Sequence, residues 1–214
     1  NTPLWRTSGS LIAPDVVLTA GHGTYGTDHA KIWFETNISQ TDYPYGNSSS
    51  TTSINGSEVY TNPFYLDTPI SNGLPGFDYH DVGIVVLDKP ASISDFADLP
   101  HAYQADPLSS MTPVDLVGYG VQWQQHGNGV NPYDTWKWCG LRFYAPAQYV
   151  ASNDLLSAEF LKMTANPGKG KGGIAYGDSG GPILLGGSDI ILGINTFVTN
   201  PNCAGVTYAQ RIDI

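Results

Sequence analysis

The chain reads as an all-β protein, and three observations lead there. Twenty-five glycines and 15 prolines punctuate a sequence in which only 13% of residues are charged, a balance that suits many tight turns better than long helices. Apolar residues arrive in short runs bounded by Gly, Pro, Asn and Ser. Only one stretch, Asn153 to Met163, carries a helical spacing, through Leu155, Leu156, Ala158 and Leu161, with Asn153 placed to cap it.

The elements follow in order. Leu11-Ile12 and Val16-Val17-Leu18, with Ala13-Pro14-Asp15 between them, predict a short hairpin leading into Thr19-Ala20-Gly21-His22. Lys31 to Glu35 is a second ladder element, with Ile32 and Phe34 on one face. Asn37 to Ser57 is poor in large apolar residues and reads as a surface loop or loose hairpin, after which Glu58-Val59-Tyr60 resumes an extended pattern. Leu66 to Tyr79 carries Pro69, Asn72-Gly73 and Pro75-Gly76, so it is expected to lie outside the framework. Asp81 to Leu87 is nearly continuously apolar, as a strand covered on both sides should be. Pro90 to Pro113 reads as a connection between two halves. Val114 to Val121, Leu141 to Tyr144, Ile183 to Leu185, Ile190 to Phe197 and Gly205 to Tyr208 supply further strands. No internal repeat is evident. Periodicity alone does not choose between a sandwich and closed barrels.

Composition narrows the function. The 214 residues are 41% hydrophobic, enough for a sizeable core in one large or two small domains. Lys+Arg 9 against Asp+Glu 19 leaves a formal charge of −10, which argues against a groove built to follow nucleic acid. No apolar run is long enough to span a membrane, and a start at Asn1-Thr2-Pro3 without a basic, apolar segment reads as a soluble, processed chain. The triplets at Asn37, Asn47 and Asn55 fit the glycosylation pattern and suggest export. Cys139 and Cys203 allow one intramolecular pairing, expected in an exported protein and worth about 4 kcal/mol on chain-entropy arithmetic. Two cysteines so far apart form no thiolate metal site, Asp115, Asp134 and Asp154 are simpler as turn or helix-start residues, and no calcium loop is present. No cofactor is implied. With no heptad or apolar surface stripe, a monomer is the expectation.

The chemistry concentrates at Gly177-Asp178-Ser179-Gly180-Gly181-Pro182. A serine hydroxyl needs a base before it attacks, and flanking glycines leave room for a substrate backbone and unusual dihedrals. The Gly177 and Ser179 amides are candidates for holding a developing oxyanion. His22, at the end of an apolar run, is the candidate base, with His29, His80, His101 and His126 as competitors. Asp81 opens the most apolar strand, where an ionised carboxylate needs a strong partner, and an imidazole is one. Asp81 would orient His22, and His22 would activate Ser179.

These residues in the order His, Asp, Ser resemble the chymotrypsin and trypsin family of serine proteases. The resemblance rests on Gly9-Ser10-Leu11-Ile12, Leu18 to His22, Asp81-Val82-Gly83-Ile84, Val117-Gly118-Tyr119-Gly120, Gly177 to Pro182, and Gly193-Ile194 with Gly205-Val206, and so runs through nearly the whole chain. It implies two six-stranded antiparallel β-barrels, the first in residues 1–100 with His22 and Asp81, the second in 101–214 with Ser179, and an active-site cleft between them. It implies a secreted serine endopeptidase, with peptide or protein substrates and protein protease inhibitors as partners. Gly173 resembles the floor of the primary specificity pocket, Val198 and Gly205 its walls, Phe197 an apolar surface for substrate, and Thr196 the residue whose hydroxyl supports the aspartate. A neutral floor argues against selection of Lys or Arg.

The sequence also departs from the family. Gly23 stands where a cysteine usually follows the histidine, and Ala175 where Cys203 would find its usual partner, so a bridge from Cys139 to Cys203 would be nonstandard. No Ile-Val-Gly-Gly segment is present to pair with Asp178, which leaves that aspartate to be satisfied by residues upstream of Asn1 or by another group. Two other classes remain open: a catalytically silent binding protein on the same fold, and a serine esterase. The esterase elbow Gly-x-Ser-x-Gly belongs to an α/β sheet with its histidine last in order, unlike this chain.

Overall fold

A computed structural model describes residues 6–40, 52–65, 79–130, 135–150, 158–199 and 202–214. Among these, the hairpin β1 (Ser10–Ala13) and β2 (Val16–Thr19) leads into a single helical turn, α1 (Gly21–Thr24). β3 (Lys31–Ile32), β4 (Ile54–Thr61) and β5 (Gly83–Leu87) complete a curled five-stranded sheet in the order β1-β2-β5-β4-β3. β5 pairs antiparallel with β2 and β4, which buries the 83, 85 and 87 side of the strand. Its core comprises Val17, Ile54, Val85, Leu87 and Ala91.

The second half closes. β6 (Pro113–Gly118), β9 (Phe143–Val150), β10 (Phe160–Ala165), β11 (Pro182–Leu185), β12 (Ile191–Val198) and β13 (Gly205–Arg211) form an antiparallel six-stranded barrel; β7 (Trp123–Gln125) and β8 (Thr135–Lys137) form a separate ribbon. Val114, Leu116, Ala147, Leu161, Met163, Ile183 and Leu192 fill the barrel. Leu18 and Ala20 from the sheet meet Ile191 and Ile194 from the barrel in a further buried cluster, so the two halves are joined by apolar packing directly beneath the turn that carries His22. The connection between them is pinned from the C-terminus. Arg211 donates to both oxygens of Asp213 at 2.8 and 2.9 Å, and Asp213 accepts the Ala105 amide at 2.8 Å. Burial pushes the Asp213 carboxyl up, but the Arg211 and Ala105 donors outweigh it and hold it below its ordinary value.

The all-β expectation holds, with a closed six-stranded barrel and a curled half-barrel sheet. Four local expectations change. The helix over Asn153 to Met163 is corrected: residues 151–157 lie outside the described residues, and Phe160 to Met163 belong to β10. There Leu161, Met163 and Ala165 alternate inward while β13 and β9 take up the backbone groups, so the period is two. The Lys31 to Glu35 ladder shrinks to Lys31–Ile32, and β4 starts at Ile54, inside the stretch read as a surface loop or loose hairpin, where it pairs antiparallel with β3. The expected disulfide is also corrected. Cys139 and Cys203 are both free thiols, each held in its own partly buried surroundings, and burial raises the Cys203 thiol against a backbone hydrogen bond from Tyr176.

The Asn47 triplet and the 66–78 insertion lie outside the described residues. Asn55 is exposed on β4, and Asn37 folds back so that its Oδ1 accepts the Ser39 amide at 3.1 Å. No helix among the described residues is long and apolar enough to cross a membrane.

Candidate active site

α1 sets the histidine. The Gly23 amide donates to Ala20 O and the Tyr25 amide to Gly21 O, closing one turn around His22. Two glycines let this turn lie flat on the start of β5. A Cβ at Gly21 would stand 3.0 Å from the Val82 nitrogen, and one at Gly83 only 2.4 Å from Thr24 Oγ1. The approach brings Asp81, fully buried, under His22. Asp81 Oδ1 accepts the His22 backbone amide at 2.7 Å, and Oδ2 accepts from the ring Nδ1 at 2.8 Å. A carboxylate bonded to both the backbone and the ring fixes ring orientation and places the Nδ1 proton on the aspartate side. The side chain of His22 stays 30% exposed, so its other edge reaches solvent.

Sequence reasoning missed a partner of Asp81. Gln210, on β13 and 3% exposed, accepts the Asp81 amide at 3.3 Å through Oε1, while its Nε2 donates to Glu159 O and Arg211 O at 3.2 and 3.3 Å. The Thr196 hydroxyl donates to Ile194 O at 3.0 Å and accepts the Gln210 amide at 3.1 Å, so it supports Gln210, not the aspartate.

Ser179 sits on the turn before β11. Gly177 and Gly180 have φ of +99° and +83°, dihedrals that disfavour any side chain. Gly180 also packs where no Cβ fits, since one would lie 2.2 Å from Thr19 Oγ1 and 2.8 Å from the Ala20 nitrogen. This contact seats the serine turn against the residues that precede His22. Neither the Gly177 nor the Ser179 amide has an acceptor among the described residues. Their directions are fixed all the same. The Val121 amide holds Tyr176 O at 2.9 Å and the Gly181 amide holds Asp178 O at 2.9 Å; in a trans peptide the adjoining N–H then points the opposite way.

Asp178 anchors the turn from behind. Its Oδ1 accepts the Gly120 amide at 2.7 Å and its Oδ2 the Ala175 amide at 2.8 Å. Gly118 and Gly120 make room, because a Cβ at either would come within 2.5 Å of the carboxyl group. Burial pushes Asp178 up to about 6, against the pull of the Ala175 and Gly120 amides and of the Arg6 guanidinium. Asp178 is thus satisfied by groups within the described chain.

The expected pocket residues gather at the end of the barrel where β10, β12 and β13 meet. Gly173 packs on Ala165 and Thr207, with room for no side chain: a Cβ there would stand 2.4 Å from the Ala165 methyl. Ala165 in turn pairs with Gly205 across the ladder, and Val198 pairs with Thr207. Phe197 stacks on Tyr208 with centroids 4.9 Å apart and meets Phe160 edge-on at 5.4 Å. Of the competing histidines, His80 faces Glu159 at 3.4 Å. Among the described residues no group of His, Cys, Asp or Glu is arranged to hold a metal ion.

Known proteins share this fold. The chain is 25% identical over 214 residues to human chymotrypsin-like elastase family member 3A, covering 91% of this chain and 68% of that protein. Its fold is similar to HL collagenase, with a TM-score of 0.67 and 15% identity, over 96% of this chain and 80% of that one. It is also similar to human heparin binding protein, with a TM-score of 0.69 and 16% identity, again over 96% and 80%. Residues 4–213 match the Trypsin family, and the chain belongs to that family.

Proposed function

We propose that the protein is a secreted serine endopeptidase in which Ser179 is the nucleophile, His22 the general base and Asp81 the residue that orients the base. The observation that carries the reading is the double hydrogen bond from His22 to the fully buried Asp81. With Nδ1 committed to Asp81, Nε2 is the nitrogen that takes the Ser179 proton as Oγ adds to the scissile carbonyl. The oxyanion that forms is received by the Gly177 and Ser179 amides, each worth on the order of a hundredfold or more in rate. His22 then passes the proton to the leaving amine, and a water repeats the sequence on the acyl-enzyme.

Gly173, Val198 and Gly205 form a neutral pocket for the side chain before the cleaved bond, and Phe197 an apolar surface beside it. This arrangement favours small or medium neutral side chains. Beyond Ile194 β12 has no ladder partner in β11, and the main chain of Thr196 to Val198 on that side is offered to an extended substrate. The exposed Asn55, heading one of the triplets, fits passage through a secretory route.

The similarity to heparin binding protein favours one second reading, a binding protein on the same fold. A charge of −10 opposes a polyanion as its ligand, and the intact His22–Asp81 pair has no use in it. Digestion of an unstructured protein, with new termini mapped by mass spectrometry and Ser179→Ala as control, tests the proposal. Cleavage after neutral residues that disappears in the control is the expected result. Cleavage dominated by Arg or Lys overturns the pocket assignment, and no cleavage by folded protein favours the binding reading.

A further inference from the structure

Residues 7 and 8, ahead of β1, hold the serine turn by its carbonyls. The Ser8 amide donates to Ser179 O at 2.7 Å, and the Thr7 hydroxyl donates to the same oxygen. The Ser8 hydroxyl donates to Gly177 O at 2.8 Å and accepts the Tyr119 amide at 3.1 Å, so its proton and a lone pair are both committed. Ser8 is 6% exposed, and without its hydroxyl that carbonyl and that amide would lose their partner where water has little access. The same residue is tied to the histidine side. Ser8 O accepts from Thr19 Oγ1 at 2.7 Å, and Thr19 leads into Ala20, whose carbonyl accepts the Gly23 amide and closes the turn around His22. Thr7 lies against that turn as well, since a Cβ on Gly23 would stand 3.0 Å from its methyl.

The carbonyls around the two candidate oxyanion amides are held in different ways. Those of Tyr176 and Asp178 accept the Val121 and Gly181 amides, and that of Ser179 accepts the Ser8 amide and the Thr7 hydroxyl. Among the described residues, the Gly177 carbonyl is held by a side chain alone, that of Ser8. The peptide plane it belongs to, between residues 177 and 178, separates the Gly177 amide from the Ser179 amide, so rotating it changes the angle between them. At its other end the Asp178 amide donates to Ala175 O at 3.0 Å, a bond within the turn itself. Gly177, at a φ of +99° and without a Cβ, offers little steric resistance to that rotation. The Ser8 hydroxyl is the anchor that this plane has from outside the turn.

We propose that Ser8 is a positioning residue for the nucleophile turn: its hydroxyl fixes the 177–178 peptide plane and so keeps the Gly177 and Ser179 amides aimed at one oxyanion. The inference rests on the peptidase reading and adds to it a group outside both the triad and the turn. Ser8 touches neither substrate nor the reacting atoms. It acts through Gly177 O, and its carbonyl bond to Thr19 keeps that anchor in register with the strand that feeds His22.

Three variants test the hydroxyl. Ser8→Ala removes it, Ser8→Thr keeps it, and Ser8→Cys puts a weaker donor in its place. Peptide hydrolysis by each is measured at a temperature where circular dichroism shows the variant folded. The expected result is a kcat at least about tenfold lower in S8A with KM within about twofold, the signature of lost transition-state contacts. S8C falls between S8A and wild type, and S8T recovers most of the rate. A bond that served stability alone would lower Tm and leave the kcat of folded protein unchanged, so a kcat in S8A within about twofold of wild type overturns the assignment. So does a loss in S8T equal to that in S8A, or a change confined to KM. If S8A does not fold, S8C against S8T decides: a kcat loss in S8C above about threefold that S8T restores sustains the role, and a smaller or unrestored loss overturns it. Wild-type protein that hydrolyses no peptide overturns the peptidase reading and this assignment together, a result distinct from active wild type with an unaffected S8A.

Discussion

Replacing Asp178 by asparagine should change how stability depends on pH, and the size of the change follows from burial. Burial pushes the carboxyl up to about 6 in the folded protein, against an ordinary value of 3.8. Below pH 3.8 the group is protonated in both folded and unfolded chains and contributes no difference. As pH rises toward 6, the unfolded chain releases its proton while the folded one keeps it, so stability falls. Above about 6 the loss is complete, at roughly 3 kcal/mol for a shift of about two pH units. Asparagine removes this titration. It also leaves one of the Gly120 and Ala175 amides without a good acceptor, a cost that does not vary with pH. Urea unfolding of wild type and D178N at intervals from pH 3.5 to 7.5 isolates the linked part. The difference between the two stabilities should move by about 3 kcal/mol in favour of the variant across that range. Two curves that stay parallel to within about 0.5 kcal/mol would refute the claim that burial dominates at Asp178.

Other outcomes are equally specific. Gly180→Ala forces a Cβ to 2.3 Å from Ser8 O at a φ of +83° and should lower stability by about 3 kcal/mol or more, seen as a drop in Tm. Gln210→Leu removes the acceptor of the buried Asp81 amide and should reduce kcat about tenfold with little change in KM, since it loosens the residue that orients the base. Two thiols should titrate with a disulfide-exchange reagent in unfolded protein kept free of reductant, because Cys139 and Cys203 are unpaired; no titratable thiol would mean that they are bridged.

Much of the site was legible because its signals are local. Gly177 to Pro182 combines nucleophile, glycine dihedrals and oxyanion donors in six consecutive residues, and Asp81 stands out as a carboxylate opening an apolar strand. The hairpin around Pro14 and the strands at 83–87 and 182–198 were equally plain, since short apolar runs between turn residues have one simple solution. β10 was misread because Leu155, Leu156, Ala158 and Leu161 satisfy a helical spacing, while the pairing with β13 and β9 that makes Phe160–Ala165 a strand is nonlocal. Trp123–Gln125 and Thr135–Lys137 form a ribbon with hardly any apolar alternation to announce it.

The groups that support the candidate triad were hidden for the same reason. Gln210 reaches Asp81 across 129 positions, and Ser8 reaches Gly177 across 169. Neither a lone glutamine near the C-terminus nor a serine before a strand carries a sequence signal of such a role. Thr196 shows the converse: its position by resemblance pointed to the aspartate, yet its hydroxyl is engaged with Ile194 and Gln210.

The central claim is that the chain assembles a base-activated nucleophile at Ser179. Reaction of the folded protein with a fluorophosphonate probe, followed by peptide mapping, tests this most directly, because the probe bonds only to a serine oxygen that has been activated. The account predicts a single labelled peptide carrying the probe on Ser179, with labelling abolished in S179A and reduced at least about a hundredfold in His22→Ala. Folded protein that stays unlabelled, or that carries the probe on another residue, would contradict it.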